Sequence, residues 1–283
     1  MKEIATLHVP PSERLRKFID CYWIWESNDE HHLTKLPRVL PNLNMEMIFY
    51  YYSPLICIDH KRVSSKLPTA HIAGIQKTHL DLYATGKIGI ISVRFLPGTF
   101  HYFCNEVISN FTDNICSITD VWGDLGNELQ DKIIEAETIK QRIDILEHYL
   151  LLLLERYYYH TANHKIQAYA VHKLMNSSRV RSIQTICNEV NISQRQLQRI
   201  FNESIGVNPK FFQKISTFVN ASKKICLNKE IKYIDIVQES GYYDQAHFIK
   251  VFKQFSGINP LAILSSDFMS HFYNTKISSS SKM

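Results

Sequence analysis

Two stretches of this 283-residue chain, VNISQRQLQRIFNESIGVNP at residues 190–209 and GYYDQAHFIKVFKQFSGINP at residues 241–260, carry one pattern twice. A single offset of 51 residues aligns them without a gap and extends upstream. Under it Ile183 falls on Ile234, Ile186 on Val237, Ile192 on Tyr243, Gln194 on Gln245 and Leu197 on Phe248. Arg199 falls on Lys250, Phe201 on Phe252, Gly206 on Gly257, Asn208 on Asn259 and Pro209 on Pro260. Self-similarity at a fixed offset marks a duplicated supersecondary unit.

Each copy reads as two short helices joined by a tight turn. In the first, Ser182 caps a helix through Asn188, with Ile183, Ile186 and Val190 facing inward, and the turn runs over Val190, Asn191 and Ile192. Ser193 then caps a second helix over 194–204, in which Leu197, Ile200 and Phe201 share one face. The second copy predicts a helix over 231–239, a turn at 240–243 where Gly241 suits a positive φ, and a helix capped by Asp244. The outward faces differ in chemistry. Gln194, Arg195, Gln198 and Arg199 belong to residue types that bridge base edges, Arg to guanine and Gln to adenine. The second copy displays Gln245, Ala246, His247, Ile249 and Lys250, and Ala246 and Ile249 can offer a thymine methyl only a nonpolar contact. One such pattern is an ordinary product of globular folding; two in register are a stronger signal.

Charge agrees with the repeat. The formal net charge is +5, but residues 165–283 hold 16 Lys and Arg against 7 Asp and Glu, net +9, which leaves the rest of the chain at −4. A basic C-terminal part beside a mildly acidic body suits a module that displaces counterions from a phosphate backbone. A solvated basic surface would give the same count, so charge alone is neutral between the two.

Upstream of the repeat the residue text changes. Short runs rich in β-branched and aromatic residues at 45–52, 55–58, 71–75 and 88–95 are punctuated by Pro54, Gly74, Gly86, Pro97 and Gly98, and predict a sheet or small barrel between residues 40 and 103. From Ser117 the period becomes helical: Leu125, Leu129 and Ile133, then Ile139, Ile143, Leu146, Leu150 and Leu153, predict two amphipathic helices. The run from Tyr157 to Asn163 ends that pattern.

Several chemistries are disfavoured. The apolar run 149–154 is too short to cross a bilayer, and the N-terminus lacks an apolar segment with a cleavage site, so the chain is expected in the cytoplasm. Cys21, Cys57, Cys104, Cys116, Cys187 and Cys226 form no CxxC pair and read as small buried hydrophobes. Histidines at 31, 32, 60, 71, 79 and 101 show no HxH or HExxH spacing, so no metal site is assigned. No GxSxG or phosphate-cradling loop marks a catalytic centre, and no catalytic residue or cofactor is assigned. Glu46, between Met45 and Met47 in a predicted strand, could meet a ligand if it points inward, and strand alternation gives either face equally. Trp23, Trp25 and the tyrosines 50–52 could line an apolar pocket or simply pack a core.

The segment Gly241-Tyr-Tyr-Asp-Gln-Ala-His-Phe-Ile-Lys-Val-Phe-Lys-Gln-Phe-Ser-Gly-Ile-Asn-Pro260 resembles the signature of the AraC/XylS transcription regulators, and Ile192-Ser-Gln-Arg-Gln-Leu-Gln-Arg-Ile-Phe201 resembles that family's first helix-turn-helix. The resemblance spans residues 166–268. It implies seven helices, with a linker helix over 209–227 that sets both recognition helices on one face of a duplex. It further implies base reading by Arg195, Gln198 and Arg199, a phosphate contact at Gln194, and a second reading face at Gln245, Ala246, Ile249 and Lys250. Thr217 and Leu264 stand where family members often carry arginine. The pieces Pro11–Leu15, Cys21–Trp25, Leu40–Glu46, His71–Gln76 and Val93–Gly98 are similar to an uncharacterised sensor-like domain found ahead of such modules.

The expected architecture is therefore α+β: a β-rich, cupin-like N-terminal domain with trailing helices (1–160), an all-α double helix-turn-helix domain (161–270) and a disordered tail (271–283). The expected partner is double-stranded DNA, with association with the nucleoid, and no membrane. A small-molecule effector, a homodimer through the N-terminal domain, and RNA polymerase in the case of an activator are the further partners weighed. An N-terminal enzyme or partner-recruiting module, with DNA binding secondary, is the alternative.

Overall fold

The computed structural model describes residues 5–27, 30, 33–59, 61–158, 162–175, 182–227, 233–260 and 262. Alternation along the strands decides how its first half is built. The strands are β1 (Ala5–Val9), β2 (Ile19–Ser27), β3 (Thr34–Lys35), β4 (Glu46–Tyr50), β5 (Ile56–Ile58), β6 (Ser64–Lys66), β7 (Ala70–Ala73), β8 (Asp81–Ala84), β9 (Ile88–Phe95) and β10 (Ile115–Ser117). They form two antiparallel sheets, in the orders β1-β2-β9-β4-β7-β10 and β3-β8-β5-β6.

The register of the larger sheet sorts its residues into two faces. Cys21, Arg94, Glu46, Ala73 and Ile115 stand in one cross-strand row, and Trp23, Ser92, Ile48 and His71 in the next row on that face. Trp25, Ile90 and Tyr50 form a third. Trp23, Trp25, Tyr50 and Ile90 share a core with Leu55, Cys57 and Leu67, so this face turns toward the smaller sheet. Tyr22, Ile24, Met47, Phe49, Ile72, Ile91 and Val93 alternate with these residues and belong to the second core.

That second core is closed by α1 (Ile118–Trp122), α2 (Asp124–Glu135) and α3 (Ile139–Tyr157). Thr138 and Gln141 form a capping box at the start of α3, which satisfies backbone N–H groups the helix cannot pair internally. Arg142 donates to the Ile133 carbonyl at 3.1 Å and lies 3.9 Å over the Tyr51 ring, fixing α3 to α2 and the sheet. Glu147 accepts from the Ser12 backbone N–H at 2.7 Å and the Tyr22 hydroxyl at 3.3 Å.

The sequence expectation began the sheet at residue 40 and followed it with two helices. The structure adds β1, β2 and β3 ahead of that point and a third helix, the five-residue α1. β2 escaped because both of its faces are covered, which erases the apolar–polar alternation that reveals a half-exposed strand. The stripe Leu146, Leu150 and Leu153 is buried within the chain, with Ile139 and Ile143 packed against the same core, so it is not available as a dimer seam.

The C-terminal half is helical: α4 (Ala162–Met175), α5 (Ile183–Glu189), α6 (Gln194–Ser204), α7 (Pro209–Leu227), α8 (Tyr233–Ser240) and α9 (Gln245–Ser256). A seventh helix, the tail from residue 271, Leu264 and the start of the helix expected at 231 fall outside the described residues. Phe201, Phe212, Phe218, Phe248, Phe252 and Phe255 are fully buried. Phe218 meets Phe252 and Phe255 with centroids 5.2 and 5.0 Å apart, tying the linker helix α7 to α9. Such ring pairs add about 0.5–1.5 kcal/mol each beyond area burial. Among the described residues, no helix is long and apolar enough to cross a membrane.

Candidate nucleic-acid interface

The first helix-turn-helix is α5, a turn at 190–193, and α6. Val190 closes α5, and Asn191 takes φ of 52°, the left-handed region that Asn tolerates better than most residues. Ser193 caps α6 by accepting from the Gln196 N–H at 3.1 Å. Ser182 stands at the N-cap of α5 but accepts no hydrogen bond there, so only half of that expectation is realised. In the second unit Gly241 makes the turn at φ of 76°, and Asp244 accepts from the His247 N–H at 2.7 Å to cap α9.

With Leu197, Ile200 and Phe201 buried, Gln194, Arg195, Gln198 and Arg199 stand exposed on the other side of α6. Phe248, Val251, Phe252 and Phe255 bury the inner side of α9 and leave Gln245, Ala246 and Lys250 exposed. Ile249 departs from the expected face: it is half-buried and packed against the core, so it has less side chain to offer a ligand. Two of the exposed residues already have partners. Gln194 donates to Gln184 at 2.6 Å across the turn, which braces α6 against α5. Arg199 lies 3.9 Å from Glu203, an exposed pair that salt and solvent weaken.

The repeat is less exact in space than in sequence. Ile192 packs against the core, whereas Tyr243, its counterpart, is 91% exposed beside the N-terminus of α9. Ile183 is partly buried, while Ile234 is 59% exposed. Nothing in the spacing distinguished these positions, because an aromatic or branched residue at a repeat position reads as core.

A second feature was not legible at all: the β-domain grips the C-terminal end of each recognition helix. Gly206 follows α6 with φ of 95°, and its carbonyl accepts from the Thr112 hydroxyl at 2.7 Å. A Cβ there would stand 2.9 Å from the Ile108 carbonyl. Gly257, its repeat partner, ends α9 with φ of 71°, and a Cβ would run into the His79 ring and reach 2.8 Å from the Arg38 guanidinium. Arg38 donates to the Ser256 carbonyl at 2.9 Å while holding Asp81 through two bonds of 2.7 and 2.8 Å. Gln167 on α4 donates to the Gly98 carbonyl at 2.7 Å. Both glycines thus serve the left-handed helix cap and a close approach by the β-domain.

Between the two sheets lies a cavity of about 80 Å³. Trp23, Trp25, Ile48, Tyr50, Leu55 and Leu67 form much of its apolar wall, and Glu46 and His71 are polar members. Glu46 therefore faces inward. Its Oε1 accepts from Arg94 at 2.8 Å, and its Oε2 from Trp23 at 3.0 Å and Ser92 at 3.3 Å. Burial lowers the Arg94 pKa, but the Glu46 carboxylate beside it outweighs burial and the net shift is upward, so Arg94 keeps its charge. Of the three tyrosines, Tyr50 lines this cavity, Tyr51 belongs to the helix-covered core, and Tyr52 is exposed.

Burial pushes the Cys21 thiol up to about 12 and those of Cys57 and Cys104 to about 11, which keeps them protonated and poor nucleophiles. Among the described residues no three His, Cys, Asp or Glu side chains gather as metal ligands; His31, His32 and His60 lie outside them.

Residues 7–117 match a family described as a domain of unknown function (DUF6597), and residues 186–266 one described as a helix-turn-helix domain. No curated protein matches the chain. Among solved structures it is similar to ToxT from Vibrio cholerae, at 13% identity and a TM-score of 0.49 over 86% of this chain and 98% of that one. It is similar also to ToxT with an unsaturated fatty acid bound, at 14% identity and a TM-score of 0.46 over 93% and 97% of the two chains. The AraC-like transcriptional activator CuxR matches at 12% identity and a TM-score of 0.28 over 74% and 83%. Behind a domain of unknown function, the chain thus carries a domain of the helix-turn-helix family.

Proposed function

We propose that this regulator reads one DNA duplex with both recognition helices, α6 and α9, in successive major grooves about 34 Å apart, covering about 15–20 base pairs. Arg195, Gln198 and Arg199 are the base readers of the first unit, with Gln194 at a phosphate. Gln245, Ala246 and Lys250 serve the second unit. Because Ile249 is half-buried, the first unit carries more of the sequence preference. Tyr243, exposed at the foot of α9, joins this set as a phosphate contact. The observation that carries the reading is that these polar faces stay open to solvent while the β-domain holds the opposite ends of the same helices.

The β-domain acts as the sensor, with an effector in the cavity between the sheets. Val39 and Leu80 line that cavity and bridge each other, and their chain neighbours Arg38 and Asp81 hold the end of α9. An occupant of the cavity is thus one residue away from the second unit. Self-association, where it occurs, uses a surface other than the buried α3 stripe.

The test is Arg199→Ala measured against a panel of single-base variants of a selected site. The substitution should cost about 1–3 kcal/mol and flatten preference at one base step. An equal loss on every sequence would make Arg199 a phosphate contact instead.

A further inference from the structure

Two polar groups in the cavity have spare hydrogen-bonding capacity. Tyr50 is 2% exposed and lines the cavity, and its hydroxyl has no hydrogen-bond partner among the described residues. His71, 1% exposed, sits beside it with ring centroids 5.6 Å apart. Its Nδ1 is 3.1 Å from the Pro68 carbonyl, an acceptor, so Nδ1 carries the proton and Nε2 is left as an acceptor. Burial holds the imidazole down at about 4, hence neutral at physiological pH. Buried polar groups are nearly always paired, and two such groups facing one cavity define the polar end of a ligand site.

The charges of the cavity set the ligand's own charge. Glu46 is the acidic residue in the wall, and its oxygens are already taken by Arg94, Trp23 and Ser92. The Arg94 Nε is committed to Glu46, and the lining contains no lysine or arginine. A carboxylate entering here would lose its hydration and meet no cation, and an ammonium would find its natural partner already neutralised. Burying an uncompensated ion is costly enough to exclude either.

We infer that the cavity between the sheets binds a neutral, flat, mostly apolar molecule of about single-ring size that carries a hydroxyl or amide group, which donates to His71 Nε2 and accepts from the Tyr50 hydroxyl. The tryptophan and aliphatic walls supply the apolar contact. The size follows from the space: one water needs about 10–15 Å³ and a cavity that holds benzene about 150 Å³. The 80 Å³ here lies between these, and the half-exposed Ala73, Leu80, Leu82 and Ile115 leave room for a ring edge.

This inference rests on the sensor reading of the β-domain and names its ligand class. It is tested without DNA, so its failure leaves the DNA-reading assignment standing, and a chain that fails to bind DNA can still pass. Calorimetric titration of the full chain uses three probes of similar shape: p-cresol, p-toluate and p-methylbenzylamine. The expected result is saturable binding of p-cresol, with the anionic and cationic probes at least tenfold weaker. In Tyr50→Phe, p-cresol affinity should fall about 2- to 10-fold, the worth of one hydrogen bond, with the thermal midpoint unchanged or raised because an unpaired buried hydroxyl is removed. Ile48→Trp, which fills the space, should abolish binding. Tighter binding of p-toluate, unsaturable heats with p-cresol, or a Tyr50→Phe variant that binds p-cresol like the parent would overturn the inference.

Discussion

Replacing Arg38 by alanine should loosen the grip of the β-domain on the second helix-turn-helix unit. Arg38 makes two bonds to Asp81 and one to the Ser256 carbonyl, and the paired side chains are only 14% and 18% exposed, so solvent screens them weakly. A hydrogen bond from a charged donor contributes about 1.5–3 kcal/mol, and breaking a buried ion pair costs about 3–5 kcal/mol. Lys35 stays 3.5 Å from Asp81 and softens the second loss, which places the total at about 2–4 kcal/mol. Burial works to raise the Asp81 pKa, but Arg38 and Lys35 outweigh it and hold the carboxyl below its usual range, so Arg38→Ala should also raise it. Urea unfolding gives the stability change, and amide exchange at 253–258 shows where it falls. A stability loss below about 0.5 kcal/mol, together with unchanged exchange across the end of α9, would refute the claim that this contact joins the two halves.

Gly206→Ala should destabilise by about 1–3 kcal/mol, because alanine resists the positive φ and its Cβ meets the Ile108 carbonyl; a neutral result in thermal unfolding would show that the β-domain yields at this point. Stability should also fall on acidification. His71 is held near 4 in the fold against about 6.5 unfolded, so between those values the unfolded chain binds a proton the folded one refuses. The stability present above pH 6.5 is lost progressively toward pH 4, by up to about 3 kcal/mol, and His71→Gln should flatten that limb of the unfolding curve. An identical acid limb in the variant would assign the loss to other groups.

Helices α6 and α9 were legible because each is amphipathic and capped, by Ser193 and Asp244 at the expected residues, with Gly241 turning the chain before α9. Helix α7 came from the family resemblance, and α4, whose apolar residues do not gather on one face, was not read. Strand β9 was legible from its run of branched residues. β2 was not, since both faces are covered, and neither were β3 and β6, which are two and three residues long. Residue type alone could not place Glu46, because an inward carboxylate depends on Arg94, Trp23 and Ser92 arriving from two other strands. The docking of Gly206 and Gly257 on the β-domain depends likewise on loops distant in sequence. The eight DNA contacts expected from the sequence came from the family resemblance laid on outward faces read by helical period; seven of these residues are exposed and Ile249 is half-buried.

Selection of bound sequences from a random duplex library, with the parent, Arg195→Ala/Arg199→Ala and Gln245→Ala/Lys250→Ala chains run side by side, reaches the heart of this account. Two short sequence elements, centred about ten base pairs apart on one duplex, should be enriched by the parent, with the α6 variant losing one element and the α9 variant weakening the other. Enrichment of no sequence at all, or loss of the same element in both variants, would contradict it.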